Sequence, residues 1–150
     1  MREVQAGIWH WQAPHPEGNA RGAAWGKVVS SYAIEIDDGL VLFDPLAVPG
    51  ELEGRATAIV LTCPWHRRDA PSLAERLGLP IYVPPPDPPD PDPVKGHVFQ
   101  VGDRLPVGVE AFPGREPNDP VLWIEGRRAL VAGDSLIERD HGLEFPRDWA

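Results

Sequence analysis

The segment Thr62-Cys63-Pro64-Trp65-His66-Arg67-Arg68-Asp69 gathers a thiol, an imidazole, two guanidinium groups and a carboxylate within one short stretch. A thiol just ahead of a helix becomes a nucleophile when the helix N-terminus or a nearby cation stabilises its thiolate, and His66, Arg67 and Arg68 are such cations. The other reading of Cys63 is an inert cysteine at a strand end. The arginine spacing favours it, because it does not match the Cys-x5-Arg cradle that holds a phosphate. His66 reads either as a hydrogen-bonded or surface histidine or as a ligand or base.

A strand has to deliver these residues. Ala58-Ile59-Val60-Leu61 is a continuous apolar run with β-branched members, which suits a strand buried on both faces. Asp69 is placed to cap a helix, Pro71 is tolerated in its first turn, Leu73, Ala74 and Leu77 give it an apolar stripe, and Gly78 stops it. Ile81-Tyr82-Val83 returns as a strand, so residues 58–83 form a β-α-β unit. Functional groups in such units sit on the loops at strand ends, which the sheet positions rigidly.

Upstream, the runs Val28–Ile36 and Leu40–Phe43 flank Asp37-Asp38-Gly39 and predict a hairpin. Ile8, Trp9 and Trp11 predict a further strand over residues 7–12, followed by a loop over 13–26. Trp9-His10-Trp11, with His15 and Trp25, reads as a cap on the core, or else as a lip over a ligand cleft. Residues 84–93, Pro-Pro-Pro-Asp-Pro-Pro-Asp-Pro-Asp-Pro, have too few N–H donors for a helix or strand and predict an extended connector. Beyond it, strands are expected over His97–Val101, Gly108–Phe112, Val121–Glu125 and Arg128–Ala132, with a tight turn at Glu125-Gly126-Arg127. From Ile137 onward the sequence is polar and without clear periodicity.

Nineteen prolines and 15 glycines in 150 residues break the chain into short elements, so strands dominate the expected α/β architecture. With 42% hydrophobic residues, that length supports one core, hence a single domain over residues 1–150. A net charge of -9 leaves no basic face for phosphates, which argues against nucleic acid or an anionic membrane surface as partner. No apolar run approaches the roughly 18 to 20 residues of a membrane helix. The single cysteine excludes an internal disulfide, and residues 1–5 lack a signal-peptide pattern, so a cytoplasmic location is expected.

Six short motifs follow one another along the chain: Ser30-Ser31-Tyr32-Ala33-Ile34-Glu35, Gly39-Leu40-Val41-Leu42-Phe43-Asp44, Ile59-Val60-Leu61-Thr62, Val101-Gly102-Asp103, Phe112-Pro113-Gly114 and Leu130-Val131-Ala132-Gly133-Asp134-Ser135. Together, over roughly residues 28–136, they resemble the metallo-β-lactamase superfamily. The resemblance implies a four-layer αββα sandwich of two similar halves. It also implies kinship with hydrolases of esters, thioesters, amides or phosphodiesters. The family's His-x-His-x-Asp-His cluster falls on Cys63-Pro64-Trp65-His66-Arg67-Arg68, so both first-site histidines are replaced and two cations stand in the Asp-His positions. Arg115 takes the place of the histidine that follows a Pro-Gly pair. Asp134, the bridging aspartate, and Asp44, which supports the site from behind, are retained. His141 lies too close to Asp134 to match the family's final histidine. The sandwich is therefore expected to be truncated or incomplete in its second half, with an exposed sheet edge that favours a homodimer.

A zinc hydrolase needs three protein ligands and an open position, and repulsion by Arg67 and Arg68 opposes a dication here. The resulting expectation is a protein without a metal cofactor and without metallohydrolase activity. It would bind a small anionic ligand or a protein partner through Arg67, Arg68 and Arg115, with Asp134 held in a charge-assisted network by one of those arginines. The alternative is a hydrolase of esters, thioesters or phosphodiesters with an altered site. That site would use Cys63, His66 and Asp134 for catalysis, or zinc or iron held by a set drawn from Cys63, His66, Asp69 and Asp134. A third reading is an assembly module in which the site is a buried ion-pair network.

Overall fold

A computed structural model describes residues 1–16 and 28–146. Seven strands form the first sheet in the order β1 to β7: β1 (Arg2–Gln5), β2 (Ile8–Pro14), β3 (Val28–Ile36), β4 (Gly39–Phe43), β5 (Ala56–Val60), β6 (Ile81–Val83) and β7 (His97–Val98). The strands from β1 to β4 pair antiparallel, and those from β4 to β7 pair parallel. The β3–β4 hairpin turns where expected, with Asp37 in the left-handed region at φ 50°. Two helices, α1 (Gly50–Glu53) and α2 (Ala70–Leu77), interrupt the parallel part. Gly78 ends α2 with φ 68°, donating its N–H to the Ala74 carbonyl.

The second sheet is antiparallel, in the order β11-β10-β9-β8, with β8 (Arg104–Leu105), β9 (Val109–Glu116), β10 (Asp119–Ile124) and β11 (Ala129–Ala132). A small hairpin of β12 (Ile137–Arg139) and β13 (Gly142–Glu144) follows.

Alternation along β4 divides the interior in two. Phe43 faces the second sheet and packs with Ile34, Val60, Val109, Leu122 and Ile124, whereas Leu42 faces the helices and packs with Trp11, Leu52, Ile59 and Leu73. Both side chains are fully buried, and truncating either to alanine would cost about 3 to 5 kcal/mol. Trp11 is buried and Trp9 half-buried on the helix side, which matches the core-capping reading of that segment; Trp25 lies outside the described residues. At the end of the sandwich marked by the β3–β4 turn, the Arg127 guanidinium ties the sheets together. It donates to the Glu35 carbonyl at 2.5 Å, to Glu35 Oε2 at 3.2 Å and to the Ala6 carbonyl at 3.1 Å.

The β-α-β unit, the proline-rich connector and the four late strands all appear. Several boundaries differ. β2 runs on to Pro14, inside the expected loop, and residues 17–26 of that loop lie outside the described residues. β9 extends through Pro113 to Glu116, and strand β1, helix α1 and the 137–144 hairpin had no clear signal. Among the described residues both helices pack on the first sheet, and none covers the outer face of the second, where Phe112 and Leu130 are exposed. The described layers are therefore α, β and β, the incomplete form of the sandwich.

Candidate functional site

β4 and β5 run parallel, so their C-terminal ends emerge together. Asp44 follows β4 in the left-handed region at φ 46°, and its carboxylate turns toward the segment after β5. Thr62 meets it twice, its N–H 2.8 Å from Oδ1 and its hydroxyl 2.5 Å from Oδ2. A tight turn, with the His66 N–H on the Cys63 carbonyl, folds the imidazole back over the strand end. Nδ1 of His66 then lies 3.0 Å from Asp44 Oδ2, and Nε2 lies 3.3 Å from Asp134 Oδ1. The other Asp134 oxygen accepts from the Trp65 indole N–H at 2.8 Å. One imidazole thus bridges an aspartate of the first sheet and one that follows β11 of the second.

Charge explains why the arrangement holds. Burial alone would push the His66 pKa down. The charge of Asp44 and hydrogen bonds to Asp134, Asp44 and Cys63 outweigh it and raise the pKa to about 12. Burial likewise acts to raise the carboxyl pKa values of Asp44 and Asp134. For Asp44 the His66 charge and hydrogen bond, Arg68 and Thr62 reverse this, and for Asp134 His66, Trp65 and Arg115 do so; both lie below the ordinary value of 3.8. All three shifts favour the charged forms of Asp44, His66 and Asp134.

Beneath it lies a second, drier network. The Cys63 thiol is fully buried and donates to Asp119 Oδ1 at 3.1 Å. The Ser135 hydroxyl lies 2.9 Å from both the carbonyl and Oδ2 of Asp119, and it accepts the Arg115 N–H at 2.7 Å. Burial pushes the Cys63 pKa up to about 12 against the partial offset of His66, and burial also raises that of Asp119. Cys63 is therefore a neutral hydrogen-bond donor at neutral pH, the opposite of an activated nucleophile. Two glycines make room. A Cβ on Gly133 would stand 2.5 Å from Thr62 Oγ1 and 2.6 Å from Cys63 Sγ, and one on Gly114 would stand 1.9 Å from the Asp119 carbonyl oxygen.

Sequence reasoning anticipated Cys63, His66, Asp44 and Asp134 but not their arrangement. It missed Asp119 and the donor role of Trp65. Asp119 sits among Pro117, Asn118 and Pro120 and looks like a turn residue, and no spacing rule joins it to a cysteine 56 positions earlier.

Of the three arginines expected around Asp134, the structure keeps Arg115 near it and turns Arg67 and Arg68 elsewhere. Arg67 points to Asp92 on the proline-rich connector, 3.2 Å away. Arg68, in the left-handed region at φ 39°, donates to the carbonyls of Ser30 at 2.7 Å and Asp44 at 2.6 Å. Arg115 remains near, acting on Asp134 and Asp119 through its charge, with Glu116 as ion-pair partner at 3.7 Å. Trp65 hydrogen-bonds Asp134 and His66 pairs with it by charge, whereas Arg67 and Arg68 bond other partners. Asp69 stands at the helix N-cap but turns its carboxylate to the Ala47 N–H at 2.7 Å, apart from the site.

Cys63, His66 and Asp134 bring one donor atom each within 4.8 Å of one another, so the donor types suit a single zinc-like cation. The occupancy of those donors does not. Both ring nitrogens of His66 already face carboxylates, and the thiol hydrogen is held by Asp119. Both groups have pKa values raised to about 12 in the absence of an ion, and a cation would have to displace a proton from each. The Asp-His pair for a second ion is absent, its positions being Arg67 and Arg68. The residues present do not fit the metal pair of the fold that the motifs suggest.

A cavity of about 350 Å³ lies at the end of the sandwich that holds the β3–β4 turn, lined by Glu35, Asp37, Arg104, Trp123, Glu125 and Arg127. None of the site residues lines it. No helix among the described residues is long and apolar enough to cross a membrane.

No family model and no curated protein matches the chain. Solved structures do. A metallo-beta-lactamase family protein from Thermus thermophilus aligns with TM-score 0.64 and 15% identity over 91% of this chain and 62% of its own. The DIM-1 metallo-beta-lactamase aligns with TM-score 0.63 and 14% identity over 93% of this chain and 71% of its own. A metallo-beta-lactamase from Staphylococcus aureus subsp. aureus COL gives 0.55 and 19%, over 85% of this chain and 42% of its own. This chain thus spans under two thirds of the Thermus protein's length. With the strand order, the paired sheets and the placement of Asp44 and Asp134, these likenesses establish that the chain has the metallo-β-lactamase fold.

Proposed function

We propose that this protein is a non-hydrolytic form of the metallo-β-lactamase fold, acting by binding rather than by metal-assisted hydrolysis. The observation that carries the reading is the His66 imidazole lodged between Asp44 and Asp134, with Nδ1 and Nε2 3.0 and 3.3 Å from carboxylate oxygens. Carboxylates at both nitrogens favour the protonated ring, which offers no lone pair to a cation or a substrate proton, and a thiol with a pKa of about 12 does not attack a carbonyl or phosphorus at neutral pH.

The ligand in this reading is a small anion or a protein partner. With Arg67 and Arg68 directed elsewhere, the anion reading narrows to Arg115, whose charge reaches the rim formed by Asp134 and the 43% exposed Trp65. A homodimer in the cytoplasm is part of the same proposal, supported by the uncovered second sheet with exposed Phe112 and Leu130.

Metal analysis of the purified protein, paired with a hydrolysis screen on ester, thioester and phosphodiester substrates, tests the central claim. The expected result is substoichiometric metal and no turnover. Stoichiometric zinc that disappears in Asp134→Ala, together with turnover, would replace this reading by a single-metal hydrolase. A thermal-shift screen of anionic metabolites should find stabilisation that is lost in Arg115→Ala, and light scattering reports the oligomeric state directly.

A further inference from the structure

We propose that the cavity of about 350 Å³ beside the β3–β4 turn is a second binding site, which takes a small organic ammonium compound against the Trp123 indole. It lies at the other end of the sandwich from His66 and does not depend on whether that site is hydrolytic.

Three turns build the cavity. The β3–β4 hairpin reverses at Asp37, whose short polar side chain tolerates the left-handed backbone there, at φ 50°. The Asp37 carboxylate rests against Gly108 in the turn between β8 and β9, where a Cβ would stand 3.4 Å from Asp37 Oδ2 and 2.6 Å from the Ile36 side chain. Gly108 has φ 75°, so a larger residue would be strained as well as crowded. The turn Glu125–Arg127 leaves β10 and brings both of its charged residues to the same end. Strand register then sets Trp123 beside Glu110, and Glu110 beside Arg104. The enclosed volume is at the lower end of the roughly 300 to 1,000 Å³ of small-molecule pockets.

Charge selects the ligand. Glu35, Asp37, Glu110 and Glu125 line the cavity against Arg104 and Arg127, which leaves two negative charges uncompensated. Both guanidinium groups are already engaged by the protein. Arg127 donates to the carbonyls of Glu35 and Ala6 and to Glu35 Oε2, and Gly7 packs so closely that a Cβ there would stand 2.7 Å from the guanidinium. Arg104 pairs with Glu110 at 3.0 Å. Asp37 and Glu125 have no ion-pair partner among the described residues. An entering anion would meet four carboxylates and two guanidinium groups already paired, whereas a cation meets charge of opposite sign.

Carboxylates alone would make only a solvated rim, and Trp123 is what makes this a site. Its half-buried indole lines the same cavity and has no ring or hydrogen-bond partner among the described residues. An aromatic face attracts an ammonium head through its quadrupole while its apolar surface packs against the attached carbons. The net charge of -9 adds a long-range attraction for cations.

Nitrogen-15 NMR of the six tryptophan indole groups, titrated with choline and separately with its uncharged carbon isostere dimethylbutanol, tests the proposal. The Trp123 signal is assigned by its loss in Trp123→Leu or, if that variant does not fold, by sequential backbone assignment. The expected result is a saturable shift of that signal with millimolar choline and none with dimethylbutanol. Glu125→Gln and Asp37→Asn, both at exposed positions, should each weaken choline binding about 2- to 5-fold while the other indole signals stay in place. No saturable shift at Trp123, an equal response to dimethylbutanol, or full affinity in both carboxylate variants would each overturn the cation site.

Discussion

Replacing His66 with glutamine keeps the side-chain length and a hydrogen-bond donor but removes the charge between Asp44 and Asp134. The folded-state pKa of His66, about 12, lies above the ordinary 6.5 of an unfolded chain. Its stabilisation is therefore complete below about pH 6.5 and is lost as pH rises toward 12, at about 1.4 kcal/mol per pH unit. Between pH 7 and 9 the wild type should lose about 3 kcal/mol, a fall of roughly 6 to 12 °C in Tm for a domain of this size. At pH 7, His66→Gln leaves the buried Asp44 and the partly exposed Asp134 facing a neutral amide and should cost up to about 3 to 5 kcal/mol, the range for breaking a buried ion pair. Urea unfolding at constant ionic strength, at pH 6, 7, 8 and 9, reads both effects. Stopping at pH 9 keeps the Cys63 contribution small, because it is lost only as pH rises from the ordinary thiol value of 9.0 toward 12. The gap between wild type and variant should close as pH rises, because the variant lacks the titrating group. Parallel stability curves from pH 7 to 9 would refute the reasoning, and the wild-type slope alone serves if the variant does not fold. Below about pH 4 the signs reverse: Asp44 and Asp134 have lowered pKa values, so their contribution is lost as they take up protons.

Three further outcomes follow from the same network. Iodoacetamide at pH 8 should leave Cys63 unmodified in the folded protein and label it fully in denaturant, as mass spectrometry would read; rapid native labelling would contradict a buried thiol of pKa about 12. Gly133→Ala places a Cβ within 2.6 Å of Thr62 Oγ1 and Cys63 Sγ, and should destabilise by about 1 to 3 kcal/mol in chemical denaturation. Arg68→Ala strips a donor from the Ser30 and Asp44 carbonyls, with an expected loss of about 1 to 3 kcal/mol by thermal melt. An unchanged melting temperature would show that water replaces the guanidinium there.

The incomplete sandwich has its own bearing on partners. The uncovered face carries Phe112 beside Val121, and Trp123 beside Leu130, in the register of β9, β10 and β11. Three strands of this length present only a few hundred Å², less than the roughly 800 Å² per partner of a stable interface. A dimer through this face would need contributions from beyond it.

Much of the framework was legible in the residues themselves because its causes are local. Alternation in Val28–Ile36, the Asp37-Asp38-Gly39 turn and the unbroken apolar run before Thr62 each report burial within a few positions, and the β3–β4 hairpin and the β5-α2-β6 unit follow from them. The same local logic identified Cys63, His66, Asp44 and Asp134 as chemically distinctive. It could not say that His66 would turn both nitrogens onto carboxylates, that Arg68 would fold back onto β-strand carbonyls, or that Cys63 would meet Asp119. Those outcomes depend on strand ends of the first sheet meeting across 22 to 38 positions and on the two sheets closing so that segments 56 to 69 positions apart meet. Whether a donor holds a proton or could take a metal is set by desolvation and by the neighbours that closure supplies. Residue types therefore determined which groups the site has, and tertiary packing decided which of them meet.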